Sequence, residues 1–244
     1  MNSRLIPGIA ITVLSLAVLL AFLLIINKTA VQAGWPVKKR GAFILKTILV
    51  MLGWLVLVGG LSRIGFFDYF DQLPPRPVLA IFLPLPFVLL FAFSRTGTAL
   101  LKAIPPSWLI YMQSFRILVE VILWIAVTRA ILPVQMSFEG RNFDIISGIL
   151  ALPVGWWVAK NFTQARSIAI IYNFIGLAFL LNILLIALLS MPTTFRYFHN
   201  DPSSRIVAEF PFIYLPSVLV VMAYTLHVFS LRSLNLRAVP KQAR

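Results

Sequence analysis

The chain has 244 residues, 60% of them hydrophobic and 11% charged, with 21 Lys and Arg against 7 Asp and Glu and a net charge of +14. A soluble domain carries about a quarter charged residues, so this composition, divided into repeated apolar runs of about twenty residues, belongs to a membrane chain with no soluble domain left over. The absence of cysteine excludes disulfides, thiolate nucleophiles, iron–sulfur clusters and cysteine-ligated zinc, and the scattering of basic residues over short connections argues against nucleic acid.

The first predicted helix runs from Leu5 to Ile26, with an apolar region too long for a cleaved signal. The second, Ala42 to Leu61, carries Gly53, Gly59 and Gly60, which allow close packing. Phe66, Phe67, Tyr69 and Phe70 follow as an interfacial aromatic belt. The third, Val78 to Phe93, contains Pro84 and Pro86 and is expected to kink or break. In the fourth, Trp108 to Leu132, Gln113, Arg116, Glu120 and Trp124 recur every three or four residues and form one stripe.

The fifth, Phe143 to Ala159, holds Pro153 and Gly155; the sixth, Ile168 to Ser190, shows Tyr172 and Asn173 early and Asn182 half a turn out of phase with them. Asp201-Pro202 reads as an N-cap and first turn of a short surface helix ending at Glu209. The seventh, Pro211 to Leu231, carries Tyr214, Ser217, Tyr224 and His227. The expected fold class is an all-α integral membrane protein: one seven-helix domain over residues 1–231 and a basic tail over 232–244.

Orientation follows from charge. Lys28, Lys38, Lys39, Arg40, Lys46, Arg95, Lys102, Lys160, Arg166, Arg232, Arg237, Lys241 and Arg244 fall on one side with no acidic residue. Arg4, Arg63, Arg76, Arg129, Arg141, Arg196 and Arg205 share the other with Asp68, Asp71, Glu139, Asp144, Asp201 and Glu209. The basic side is predicted to be cytoplasmic, placing the N-terminus outside, the C-terminus inside, and the sequons at Asn27 and Asn161 where they stay unglycosylated. The expected location is the cell membrane, with anionic lipid at the cytoplasmic face as a partner.

Glu120 is the one acidic residue inside a span, four residues after Arg116. A charge there costs from about 2.5 kcal/mol upward, so both side chains are expected to face the bundle interior and to contact each other or share a partner. Depth along the helices groups Gln113, Arg116, Glu120, Tyr172, Asn173, Tyr224 and His227 as one candidate ligand or proton pocket in the cytoplasmic half. Glu139, Arg141, Asn142 and Asp144 form a candidate outer lip. A structural account also serves them: Asn142 as helix cap, Asp144 as a first-turn carboxylate and Arg141 as the partner of Glu139.

Seven spans with an outside N-terminus are similar in outline to microbial rhodopsins, whose retinal needs a lysine in the last helix; Pro211 to Leu231 contains none. The outline is also similar to the sugar-transporting family built as three plus one plus three helices, whose proline–glutamine pairs are missing here. No Walker loop, metalloprotease helix or hydrolase elbow occurs, and no cofactor or metal site is expected. The sequence therefore leaves three readings: a small-molecule or ion transporter or ligand-binding membrane protein, a structural subunit with a membrane-protein partner or a second copy, and a lipid-modifying enzyme.

Overall fold

A computed structural model describes residues 3–237; Lys241 and Arg244 of the basic tail lie outside the described residues. Those residues form helices and no strand. Six helical stretches are long and apolar enough to cross a membrane: Leu5–Gln32, Val37–Arg63, Arg76–Phe93, Pro106–Thr128, Phe162–Leu189 and Leu215–Leu236. The predicted fifth span forms Asp144–Lys160, whose 17 residues give about 26 Å of helix, a little short of a 30 Å core.

The first two, α1 (Leu5–Gln32) and α2 (Val37–Arg63), are regular and longer than the sequence suggested. The third span is broken where its prolines predict, into α3 (Arg76–Phe82) and α4 (Pro84–Phe93). Pro84 and Pro86 lack the N–H groups that would continue the ladder, and their rings crowd the carbonyls one turn back. An unanticipated helix, α5 (Arg95–Ala103), follows, with Ser94 Oγ accepting from Gly97 N at 2.9 Å as its cap.

The fourth span is also divided, into α6 (Pro106–Met112) and α7 (Phe115–Thr128). Gln113, Ser114, Arg116 and Ile117 each donate their N–H to the residue three back, at 2.9–3.1 Å, so the chain tightens into a 3₁₀ turn just before Arg116. Nothing in the apolar pattern signals this. Next come α8 (Asp144–Lys160) and α9 (Phe162–Leu189). The last span opens as a π-helix over Leu215–Val220 and continues as α10 (Val221–Leu236), five residues beyond the predicted end.

The last span is the axis of the bundle: 72% of its most apolar window is buried, against 11% for α2. Its α10 part packs on α4, α5, α6 and α9 and its π-helix on α1 and α3, while α8 packs between α6 and α9. Two glycines let α8 approach closely. A Cβ on Gly148 would lie 2.8 Å from Ile117 Cγ1, and one on Gly155 2.9 Å from Tyr111 Cδ1. In α2 only Gly59 has this role, against the Tyr214 hydroxyl; Gly53 and Gly60 face open space and are not packing positions.

The connections gather at two ends. At one, Arg4 pairs with Glu209 at 2.7 Å, Arg205 with Asp68 at 3.8 Å, and Arg129 donates to Ser3 O at 3.3 Å. At the other, Arg237 donates to Lys102 O and Ile104 O, both at 2.8 Å, and Arg166 to Leu234 O at 3.2 Å. Asp68 and Glu209 make the first the acidic end, and Arg166 and Arg237 make the second the basic end. The expected surface helix from Pro202 to Glu209 is instead a 3₁₀ turn over Ser204–Ala208, opened by Ser203 rather than Asp201. Ile206, Val207 and Ala208 are buried, so this turn belongs to the core.

Candidate functional site

Arg116 is the largest fully buried side chain in the bundle, with 1% of its surface exposed. The 3₁₀ turn before it aims the guanidinium between α8, α9 and α10. There it pairs with Asp144 through Nη2 and also through Nε, the latter at 2.7 Å. Nη2 donates further to Gly176 O at 3.2 Å, and Nη1 lies 2.8 Å from His227 Nε2. Arginine has no acceptor, so His227 Nε2 must accept and Nδ1 must carry the proton. Nδ1 is 2.9 Å from Asn173 Oδ1, whose own Nδ2 donates to Ala169 O and Ser230 Oγ. One polar chain thus crosses four helices, from Asp144 through Arg116 and His227 to Asn173 and Ser230.

Gly176 makes this possible. A Cβ there would collide with the His227 ring and come within 3.4 Å of Arg116 Nη1. Tyr172 covers the ring from the next turn, with ring centroids 5.8 Å apart, and donates to Ser147 O at 3.1 Å.

Glu120 is equally buried but does not pair with Arg116. Direct contact is replaced by a relay: Asn142 Nδ2 donates to Glu120 Oε1, and Asn142 Oδ1 accepts from Asp144 N at 3.0 Å. The chain from Pro133 to Phe143 turns inward, held where Asn142 Nδ2 also donates to Met136 O at 3.1 Å. Asn142 and Asp144 are therefore buried at 1% and 5% exposure, and neither lies on an exposed lip. Side-chain direction corrects the other lip residues too. Glu139 accepts from Trp124 Nε1 at 2.9 Å, and Arg141 lies over the Phe198 ring at 5.4 Å, so the expected Glu139–Arg141 pair does not form. Asn182, out of phase as predicted, donates to Arg141 O at 2.8 Å, away from the buried cluster.

Two further predicted pocket residues are buried elsewhere. Gln113 Nε2 donates to Ala223 O at 3.0 Å, and Tyr224 donates to Ile81 O at 3.1 Å, beside the break between α3 and α4. The structure thus joins Arg116, Glu120, Tyr172, Asn173 and His227 with Asn142 and Asp144, and leaves Gln113 and Tyr224 to tie the last span to its neighbours. Because Asp144 starts a helix at the acidic end, the cluster reaches beyond the half of the bundle that depth alone suggested. Gly176, Ser147 and Ser230 escaped sequence reasoning; Ser230 one turn after His227 was the available signal.

Arg116, Glu120 and Asp144 lie on the wall of a cavity of about 140 Å³. Its other walls are apolar, from α3 (Pro77, Ile81), α9 (Leu180, Leu184) and the π-helix (Leu215, Leu219). Among the described residues, Glu120 Oε2 has no hydrogen-bond partner. A second, larger cavity of about 680 Å³ lies across the broken helix and the π-helix. Ile81 and Phe82 face the first cavity while Leu83 and Pro84 face the second; likewise Leu219 and Ala223 face the first, and Ser217 and Val221 the second. The two irregular segments form the partition. Trp54 Nε1 donates to Ser217 O at 2.8 Å within it. No group of three or more His, Cys, Asp or Glu able to hold a metal occurs among the described residues.

Residues 76–235 match the family described as Domain of unknown function (DUF8737), and the chain belongs to that family. The match runs from α3 to α10 and contains the whole polar cluster. Neither the curated proteins nor the solved structures gave a match.

Proposed function

We propose that this member of the DUF8737 family is a small-molecule or ion transporter, or a ligand-binding membrane protein, that works through Glu120. The observation supporting this is the unpartnered Glu120 Oε2 on the wall of the 140 Å³ cavity. A buried carboxyl oxygen without a partner is costly in either protonation state: ionised it needs a donor, and protonated it needs an acceptor. A cavity of this size suits a few waters, a cation or a small molecule with one polar group. The same cluster supports a structural reading, in which Arg116 staples four helices. That reading accounts for Arg116, whose donors reach Asp144, His227 and Gly176, but leaves Glu120 Oε2 unexplained.

The proposal includes a plasma-membrane location and seven crossings, with Asp144–Lys160 as the fifth and the acidic end outside. In sequence, the connections and helix ends of the basic side hold eleven Lys and Arg among the described residues and no acid, as a cytoplasmic face does. Lys160, over the Trp156 ring at 4.3 Å, suits an interfacial anchor for the shortest span.

The test is infrared spectroscopy of the protein in lipid vesicles, with Glu120→Gln as reference. The expected result is a carboxyl carbonyl band that Glu120→Gln removes, that shifts in D₂O within minutes, and that titrates with bulk pH. Proton or cation flux under an imposed potential is expected in wild type and lost in Glu120→Gln. A Glu120 group silent to D₂O, together with flux unchanged by the substitution, would overturn the reading in favour of the structural subunit.

A further inference from the structure

We infer that the 680 Å³ groove between α2, α4 and the last span is a binding site for one acyl chain of an anionic phospholipid, with its phosphate drawn to Lys46. The groove has the volume of a ligand site rather than of a packing defect. Along α2 it runs from Phe43 to Leu57, about 21 Å at 1.5 Å per residue, longer than the roughly 15 Å of one hydrocarbon leaflet. It opens sideways, since Val50, Leu57 and Phe87 line it and are half or more exposed. An occupant can therefore enter from the bilayer.

Charge selects the headgroup. Lys46 lines the groove nine residues into α2, about 14 Å from its start at the basic end. Helical side chains lean toward the helix N-terminus, which for α2 is the basic end, so the ammonium snorkels toward the headgroup level. At the same end, Lys39 lies over Trp35 at 4.4 Å, and Trp35 packs on groove-lining Phe43 at 5.3 Å. Arg232 lies over Phe93 at 4.7 Å, one turn beyond groove-lining Phe229. All three cations lack an acidic partner among the described residues, where every ion pair involves other residues. An apolar slot with a cationic mouth fits an acyl chain bearing a phosphate, and disfavours a zwitterion whose own cation would meet Lys46. This site is separate from the Glu120 cavity, and its failure leaves the reading of Glu120 intact.

Trp54 lines the groove and reports on it. The experiment measures tryptophan quenching in vesicles of brominated phosphatidylglycerol or brominated phosphatidylcholine, mixed with unbrominated phosphatidylcholine. A variant that keeps Trp54 and replaces the other five tryptophans with Phe isolates the Trp54 contribution. Half-quenching is expected at about fivefold less anionic than zwitterionic lipid, the factor that one basic residue supplies against an anionic headgroup. Lys46→Gln should abolish the preference and Lys46→Arg retain it, with helical content unchanged. Val221→Phe, which fills the groove, should weaken quenching by both lipids. Equal quenching by the two lipids in wild type, or a preference that survives Lys46→Gln, would overturn the proposal.

Discussion

Arg116 pairs with Asp144, twenty-eight residues away, rather than with Glu120 one turn along its own helix. The choice follows from geometry. Asp144 opens α8 inside the bundle and presents both carboxylate oxygens to the planar guanidinium fork, which an i,i+4 carboxylate on the same helix cannot do as readily. Glu120 is then released to a different partner and to the cavity.

The first prediction separates the two acids. Asp144→Asn leaves Arg116 buried without its counter-ion and should cost about 3–5 kcal/mol, read as a large loss of thermal stability in detergent. Glu120→Gln keeps an oxygen to accept from Asn142 Nδ2 and should change stability by only about 1 kcal/mol. Arg116→Met with Asp144→Leu should recover much of the Asp144→Asn loss. The opposite order, with Glu120→Gln the more damaging, would contradict the pairing.

The second prediction concerns Gly176. The His227 ring occupies the space of a Cβ at this position, so Gly176→Ala should displace the imidazole and cost about 1–3 kcal/mol. Adding His227→Ala should cost less than the sum of the two single losses, because the clash and the lost Arg116 contact then share one cause. A fully additive double mutant would show that the ring does not constrain the glycine.

Six of the long apolar helices and the break at Pro84 and Pro86 are legible because apolar run length and missing N–H groups are properties of sequence itself. Burial of Arg116 and Glu120 was legible from the cost of charge in hydrocarbon. Their partners were not. Asp144 reads as a loop-edge carboxylate until the inward turn of Pro133 to Phe143 brings it to Arg116, and that turn is set by tertiary contacts such as Asn142 with Met136 O. The 3₁₀ turn at Gln113 and the π-helix at Leu215 were hidden for a related reason. Both shift the register of a helix without altering its apolar composition.

The third prediction tests the partition between the cavities. Trp54 and Tyr224 each donate to a main-chain carbonyl beside an irregular segment, Ser217 O and Ile81 O. Trp54→Phe and Tyr224→Phe each remove a side-chain donor from a carbonyl beside an irregular segment and should cost about 1 kcal/mol. Amide exchange should rise locally, in Leu215–Val220 for the first and near Phe82 for the second, with the rest of the bundle unchanged. Exchange rising uniformly along the chain would mean that these bonds do not hold the partition.

The last prediction is topology, and the chain's lack of cysteine makes it directly testable. Asp71 is exposed at the end where Asp68 meets Arg205, and Arg95 is exposed at the start of α5, whose far end is held by Arg237. With the basic end cytoplasmic, a membrane-impermeant maleimide should label Asp71→Cys in intact cells and Arg95→Cys only after permeabilisation. Lys102→Cys is less suitable, because Arg237 packs on the Lys102 carbonyl. Seven crossings put an odd number of passes between the N-terminus and the end of the last helix. A cysteine at Ser3 should therefore label with Asp71→Cys, and one at Asn235, exposed near the end of α10, with Arg95→Cys. Ser3 and Asn235 labelling from the same side would mean that Asp144–Lys160 does not cross. That result would also turn α9 and the last span over relative to α7, and so break the contacts of Arg116 with Gly176 and His227.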